Sequence, residues 1–366
     1  MRELGRTIIV GDTHFGIKRF SINVLEEQLK LWEVQIFPYM LENGITEIFQ
    51  LGDLFDNRTM ANIKFLDTLQ KKFFDVIKEN GFTLHSLLGN HDIFERDSRE
   101  ISIVQTFQKL YPLNFISYKN KEHIMLAGCP TLVQPWICSD EELDHNDLIG
   151  QTHVLGHFEI RDFSVVKGHV DKDSKLSKES FKGLEVYSGH YHLRNVEHHV
   201  KYLGTPTYLN WNDFSEIKGF YDFDGELTFI QNISTKKYVK VIYNDTDDDK
   251  EIEVQGLFNK HKIFNHQEFK DIIPYLEQHE VKFIISKSKT KAFDDVIQDL
   301  KEQNVQPSVI NQQEVNIILH IDEDMNENLK GSEELIIDSL KSHNPLLVKE
   351  AMSILTEIRT ESKGDE

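Results

Sequence analysis

Leu84-His85-Ser86-Leu87-Leu88-Gly89-Asn90-His91-Asp92 carries a compact message. Leu84 to Leu88 reads as a short buried strand, and Gly89 as the turn that ends it. An amide, an imidazole and a carboxylate then follow in succession. In α/β proteins, strands deliver polar side chains from their carboxyl ends into a crevice. Taken alone, the stretch reads first as a polar turn capped by Asn90. Its weight comes from similar turns elsewhere in the chain.

Upstream, Arg6 to Val10 is a β-type run ending in Gly11-Asp12-Thr13-His14. Ile45 to Leu51 is a second, ending in Gly52-Asp53-Leu54-Phe55-Asp56. Between them, Leu25, Leu29, Trp32 and Ile36 form a helical stripe over about 21–43, with Pro38 predicting a kink and Gly44 a stop. Phe65, Leu69, Phe73 and Ile77 form another over about 60–79. Residues 1–90 therefore read strand-helix-strand-helix-strand, the pattern of a parallel α/β sheet.

Downstream, residues 95–99 read as a charged loop and 101–110 as a short helix. Residues 115–118 and 123–127 read as strands. Thr152 to Leu155 leads into Gly156-His157-Phe158-Glu159, and Val186 to Ser188 into Gly189-His190-Tyr191-His192. The polar stretch 167–182 reads as an exposed loop. Residues 219–223 and 227–230 suggest antiparallel strands that close a first domain, 1–233.

Residues 234–321 read as a small α+β unit. Phe269, Ile272, Ile273 and Leu276 share one helical face, as do Phe293, Val296, Ile297 and Leu300. Residues 281–286 and 315–321 read as strands. Segment 322–366 is an acidic linker followed by a helix, with Asn344-Pro345 as its cap pair. Its stripe of Leu347, Ala351, Ile354, Leu355 and Ile358 either docks on the chain's own core or binds a partner.

Composition narrows the function classes. The chain has 366 residues, 39% hydrophobic, with a formal charge of −20 and 17 histidines. That length accommodates two domains. No apolar run reaches the roughly 18 residues a membrane span needs, and the start lacks a signal-peptide core. Cys129 and Cys138 allow one disulfide, but two reduced cysteines of a cytoplasmic protein are expected. The acidity argues against a large DNA-coating surface and suits carboxylate metal sites.

Five turns thus share one pattern: an apolar run, a glycine, then ligand-type side chains. They carry Asp12 and His14, Asp53, Asn90 with His91, His157, and His190 with His192. Singly, an Asp after Gly is a turn former and a lone His a satisfied core residue. Five together point to one metal site. The donors suit Mn²⁺, Fe²⁺, Zn²⁺ or Mg²⁺. Seven ligands exceed one tetrahedral ion, so two ions sharing a carboxylate fit the count.

These motifs resemble the calcineurin-type metallophosphoesterases, over roughly the first 230 residues. The resemblance implies a two-sheet β-sandwich flanked by helices, an α+β fold that refines the parallel-sheet reading. It implies that Asp53 bridges two divalent ions, Mn²⁺ foremost and Mg²⁺ second. Asp12, His14 and His192 would complete one ion, and Asn90, His157 and His190 the other. His91 would protonate the departing 3′ oxygen or steady the transition state. Asp56, Asp92 and Glu159 are candidate orienting residues.

Within that superfamily, Asp53-Leu54-Phe55-Asp56 and Tyr202-Leu203-Gly204-Thr205-Pro206 look like those of SbcD-type nuclease subunits, most like phage recombination endonucleases. The order of phosphoesterase, cap and helical tail also corresponds. The resemblance implies Mn²⁺-dependent cleavage of DNA phosphodiesters in recombination and repair, in the cytoplasm (the host's, for a virus). It implies a homodimer within a heterotetramer with an SbcC-like coiled-coil ATPase, which the terminal helix would bind. The alternative is a stand-alone phosphatase or cyclic-nucleotide phosphodiesterase on the same core.

Overall fold

In a computed structural model of the chain, Thr7–Val10 forms a strand buried on both faces. Ile8 and Val10 enter one apolar cluster and Ile9 another, because successive side chains of a strand leave by opposite faces. Ile48 and Phe49 divide in the same way, as do Leu84 and Leu87. In a second sheet Leu132, Val154 and Val186 separate from Val133, Leu155 and Tyr187. A strand covered on both sides has no solvent-facing side, which is why these segments lack the apolar-polar alternation of a half-exposed strand.

The structure describes residues 1–311 apart from 57–61, 96, 139–142, 167–168, 197, 246–249, 257–260, 264–265, 286–297, 299, 303–304 and 306–307. Two compact units divide at Tyr238, where the sequence suggested residue 233.

The first unit is built on two six-stranded sheets. One runs Leu227–Gln231, Gly219–Phe223, Thr7–Val10, Glu47–Gln50, Thr83–Leu87, Phe115–Tyr118. Its last four strands are parallel, and the first two join as an antiparallel hairpin. The other runs Arg2–Leu4, Glu122–Leu126, Cys129–Gln134, His153–His157, Glu185–Gly189, Val200–Tyr202. Its only antiparallel pair among these is Glu122–Leu126 with Cys129–Gln134. The cluster holding Ile9, Phe49 and Leu87 also holds Leu126, Val133, Leu155 and Tyr187. The sheets therefore pack face to face, as an α+β sandwich.

Helices cover the outer face of the first sheet. Leu25, Leu29, Trp32, Ile36, Phe65, Leu69, Phe73 and Ile77, the two stripes legible in sequence, all lie in that interface. Helical structure runs from Ile22 to Asn43 without a break, but Trp32–Ile36 is π-helical. The wider turn precedes Pro38, whose missing N–H and bulky ring an α-turn does not accommodate. Asn62 caps the second helix by accepting from Phe65 N at 3.1 Å.

Three local expectations change. Residues 95, 98 and 99 of the expected loop lie in a hairpin of Ile93–Glu95 with Ser98–Ser102, and the helix starts at Ile103 behind the Ser102 cap. The stretch 167–182 is not all loop: Lys178–Phe181 is a 3₁₀ turn that buries Phe181 completely. Cys129–Gln134 is a central strand that Pro130 disguised. Neither cysteine is in a disulfide.

The second unit carries a five-stranded sheet, in the order His261–Ile263, Lys250–Gln255, Tyr238–Asp245, Glu280–Ile285, Ser308–Asn311. The predicted helix is present as His266–Leu276, with Ile273 and Leu276 in the core. Of the helix expected around Phe293–Leu300, only its end is described. The strand expected at 315–321 and the whole segment 322–366 lie outside the described residues. Among the described residues no helix is long and apolar enough to cross a membrane.

Candidate metal centre

All five Gly-containing turns meet at one place, because each follows the carboxyl end of a strand in one of the two facing sheets. The turns approach so closely that two glycines leave no room for a Cβ. At Gly89 it would lie 2.1 Å from Asp53 Oδ1, and at Gly189 2.3 Å from Asp12 Oδ1. His14, Asp53 and His190 have positive φ values of 50°, 54° and 87°, a conformation that is costly for residues with a Cβ. Hydrogen bonds between turns hold it. His14 N donates to Asp53 O at 2.9 Å, and His190 N to Asp12 Oδ2 at 2.8 Å.

The side chains form two adjoining groups. Asp12, His14 and His192 are one, with the two imidazole Nε2 atoms 2.9 Å apart and Asp12 Oδ2 3.8 Å from His192 Nε2. Asp53, His157 and His190 are the other. Asn90 Oδ1 sits between its histidines, 3.1 Å from His157 Nε2 and 3.0 Å from His190 Nδ1. Asp53 Oδ2 is shared, 3.3 Å from His157 Nε2 and 3.8 Å from His14 Nε2. A further trio, His14, Asp56 and His91, adjoins the first group.

The surrounding residues orient this set. His157 Nδ1 donates to Leu51 O at 2.8 Å, which turns Nε2 inward. Asp56 serves two histidines. Its Oδ1 lies 3.2 Å from His14 Nδ1, and its carbonyl accepts from His91 Nδ1 at 3.1 Å. Glu159 Oε1 lies 3.3 Å from His190 Nε2. Asp92 turns away from the His91 ring. Its buried carboxylate accepts backbone N–H groups from Gly89 at 2.9 Å, Phe55 at 3.0 Å and Leu54 at 3.4 Å, clamping the Asp53 turn to the Asn90 turn.

Other supports escaped the sequence reading. Gln28 Nε2 donates to Thr13 O at 2.7 Å. A glutamine beside Leu25 and Leu29 on the apolar face was a visible signal. Lys218 is buried, paired with Asp213 at 2.6 Å, and donates to His192 O at 3.1 Å and Thr205 Oγ1 at 2.7 Å. Thr205 N also donates to His192 O at 3.3 Å, so the Tyr202–Pro206 stretch braces the His192 turn.

The electrostatics call for a cation. Burial and Asp53 push the Asp92 carboxyl up to about 7, and burial raises Asp12 as well. Burial also opposes ionisation of Asp53, but His157, His14 and His91 outweigh it and hold the carboxyl far below its usual range. Burial lowers the affinity of His157 for a proton, yet Asp53 and Asp12 raise it to about 9. A proton on Nε2 faces two acceptors there, Asp53 Oδ2 at 3.3 Å and Asn90 Oδ1 at 3.1 Å. Divalent cations replace that proton with more charge and accept the oxygen and imidazole donors present. The residue set fits such ions.

No model of a known protein family matches the chain. It is similar to exonuclease subunit 1 of Enterobacteria phage T4, with 30% identity over 233 residues, 62% of this chain and 67% of that protein. With two thirds of that relative matched at this identity, the chain belongs to the exonuclease subunit 1 family.

Proposed function

We propose that the chain is a metal-dependent nuclease subunit of calcineurin type, cleaving DNA phosphodiesters at a centre for two divalent ions. Asp12, His14 and His192 hold one ion, Asn90, His157 and His190 the other, and Asp53 both. The observation that carries this reading is the position of Asp53 Oδ2 between His157 Nε2 and His14 Nε2, where one carboxylate serves both groups. Such ions, Mn²⁺ foremost, supply Lewis acidity toward phosphoryl oxygens and a water nucleophile near neutral pH.

The chain's own residues do the rest. Their turns hold the reacting phosphodiester in a crevice of fixed charge, so little reorganisation is needed as charge develops. His91 is half-exposed and T-shaped against His14, with ring centroids 5.0 Å apart. Its Nδ1 is committed to the Asp56 carbonyl, so proton exchange falls to Nε2. It delivers a proton there to the departing 3′ oxygen. The acidic chain works with an SbcC-like coiled-coil ATPase, as a homodimer in a heterotetramer. The partner supplies the DNA-binding surface, and residues 333–366 recruit it.

Equilibrium dialysis with Mn²⁺ should give two ions per wild-type chain and fewer for Asp53→Asn. Purified protein should cleave linear duplex DNA with Mn²⁺. Rapid hydrolysis of small phosphoesters with duplex DNA left intact refutes the nuclease reading in favour of a phosphatase or cyclic-nucleotide phosphodiesterase. A pull-down with residues 333–366 deleted tests the partner.

A further inference from the structure

A cavity of about 670 Å³ opens beside the second metal group, shares His157 with it and is also lined by Glu159, the neighbour of His190. Trp136, Leu143, Phe158 and Leu176 give it apolar walls, and Ser174 and Lys175 supply polar atoms. The wall is in register with the metal group. Trp136 N donates to Leu88 O at 2.8 Å, at the strand end that carries Asn90. The Trp136 ring lies 5.3 Å from that of His190 and 6.1 Å from that of His157, centroid to centroid.

A metal-centred phosphodiester brings a nucleoside on each side of it. With the phosphate over Asp53 and His157, one flanking nucleoside lies at the mouth of this cavity. The volume lies within the range of small-molecule sites. An aromatic face with aliphatic walls is the surface on which unpaired bases stack without regard to sequence. The chain's −20 charge disfavours holding DNA by its phosphates, which puts more of the local affinity on the base.

We propose that this cavity is a nucleobase subsite that seats the unpaired nucleoside next to the scissile phosphate, with Trp136 as its stacking face. The proposal rests on the metal-centre reading above. It predicts that the enzyme selects an unstacked base without selecting its identity.

The test compares Mn²⁺-dependent kcat/KM of the full chain on oligonucleotides carrying either a base or a tetrahydrofuran abasic residue at the 3′ or the 5′ terminus. Removing the base at one of the two ends should lower kcat/KM by roughly five- to one-hundredfold. Trp136→Ala should bring that ratio near one, and Trp136→Phe should preserve most of it. Leu176→Trp fills the cavity from another lining position without emptying the core, and should reduce the base-bearing substrate to the abasic rate. DNA cleavage with ratios near one at both ends overturns this inference alone, as does a ratio that survives Trp136→Ala. Absence of any DNA cleavage overturns the nuclease reading and this inference with it.

Discussion

Replacing Gly189 by alanine adds one methyl group at the point where the two metal groups share a wall. Its Cβ would lie 2.3 Å from Asp12 Oδ1, 2.5 Å from Leu51 O and 2.9 Å from His157 Nδ1. Real Cβ contacts essentially never fall below 3.0 Å, so Asp12 must retreat by at least 0.7 Å. It cannot do so freely, because both its oxygens accept from His190 N at 2.8 and 3.0 Å. Leu51 O is backbone and holds His157 Nδ1 at 2.8 Å. One methyl group therefore disturbs Asp12 and His157 together.

Overpacking of this kind costs about 1–3 kcal/mol of stability. Losing the partner that orients a ligand weakens metal affinity about 10–100-fold, and a shift near 1 Å lowers turnover about a hundredfold. Urea unfolding, calorimetric titration with Mn²⁺ and DNA cleavage at saturating Mn²⁺ measure the three effects. Gly5→Ala is the control, since its Cβ meets nothing within 4 Å. If Gly189→Ala matches wild type within twofold in metal affinity and turnover, the close-packed geometry of the centre is refuted.

His91→Ala should leave two Mn²⁺ per chain in dialysis while lowering kcat on DNA about 10²–10⁴-fold; unchanged turnover refutes its proton-transfer role. Asp92→Ala strands three buried backbone N–H groups and should cost at least about 3 kcal/mol in urea unfolding. A loss under about 1 kcal/mol refutes the clamp. Burial opposes ionisation of Asp222, but its hydrogen bonds from Arg6 Nε at 2.9 Å and Tyr39 Oη at 2.7 Å lower its pKa overall. Its stabilising contribution is therefore full above the unfolded value of about 3.9 and lost as pH falls through the lower folded value. The difference in unfolding free energy between wild type and Asp222→Asn should shrink as pH drops below about 4; a difference independent of pH refutes the pairing.

The ligand-type residues were legible because their chemistry is local. A strand end, a glycine and an Asp, Asn or His lie within five residues, and an unbroken apolar run shows that a strand is covered on both sides. The helical stripes were legible for the same reason, since one face at 3.6-residue spacing is written in adjacent turns. Partition of the residues was not legible in local pattern, and came only with the family resemblance. Asn90 meets His157 across 67 positions and His190 across 100, and only the order of strands in two facing sheets brings them together.

Asp92 shows the limit most plainly. Beside His91 in sequence, it reads either as a partner of that imidazole or as a plain turn residue, and strand and turn direct neighbouring side chains apart. Its carboxylate instead holds the backbone of Leu54 and Phe55. Lys218 and Trp136 gave no local sign of their roles, because those depend on where two remote turns come to rest. By itself the sequence determined which donors stand at which strand ends. Only the tertiary structure places those donors in adjoining groups and decides which neighbours brace them, because those contacts join segments that chain distance keeps apart.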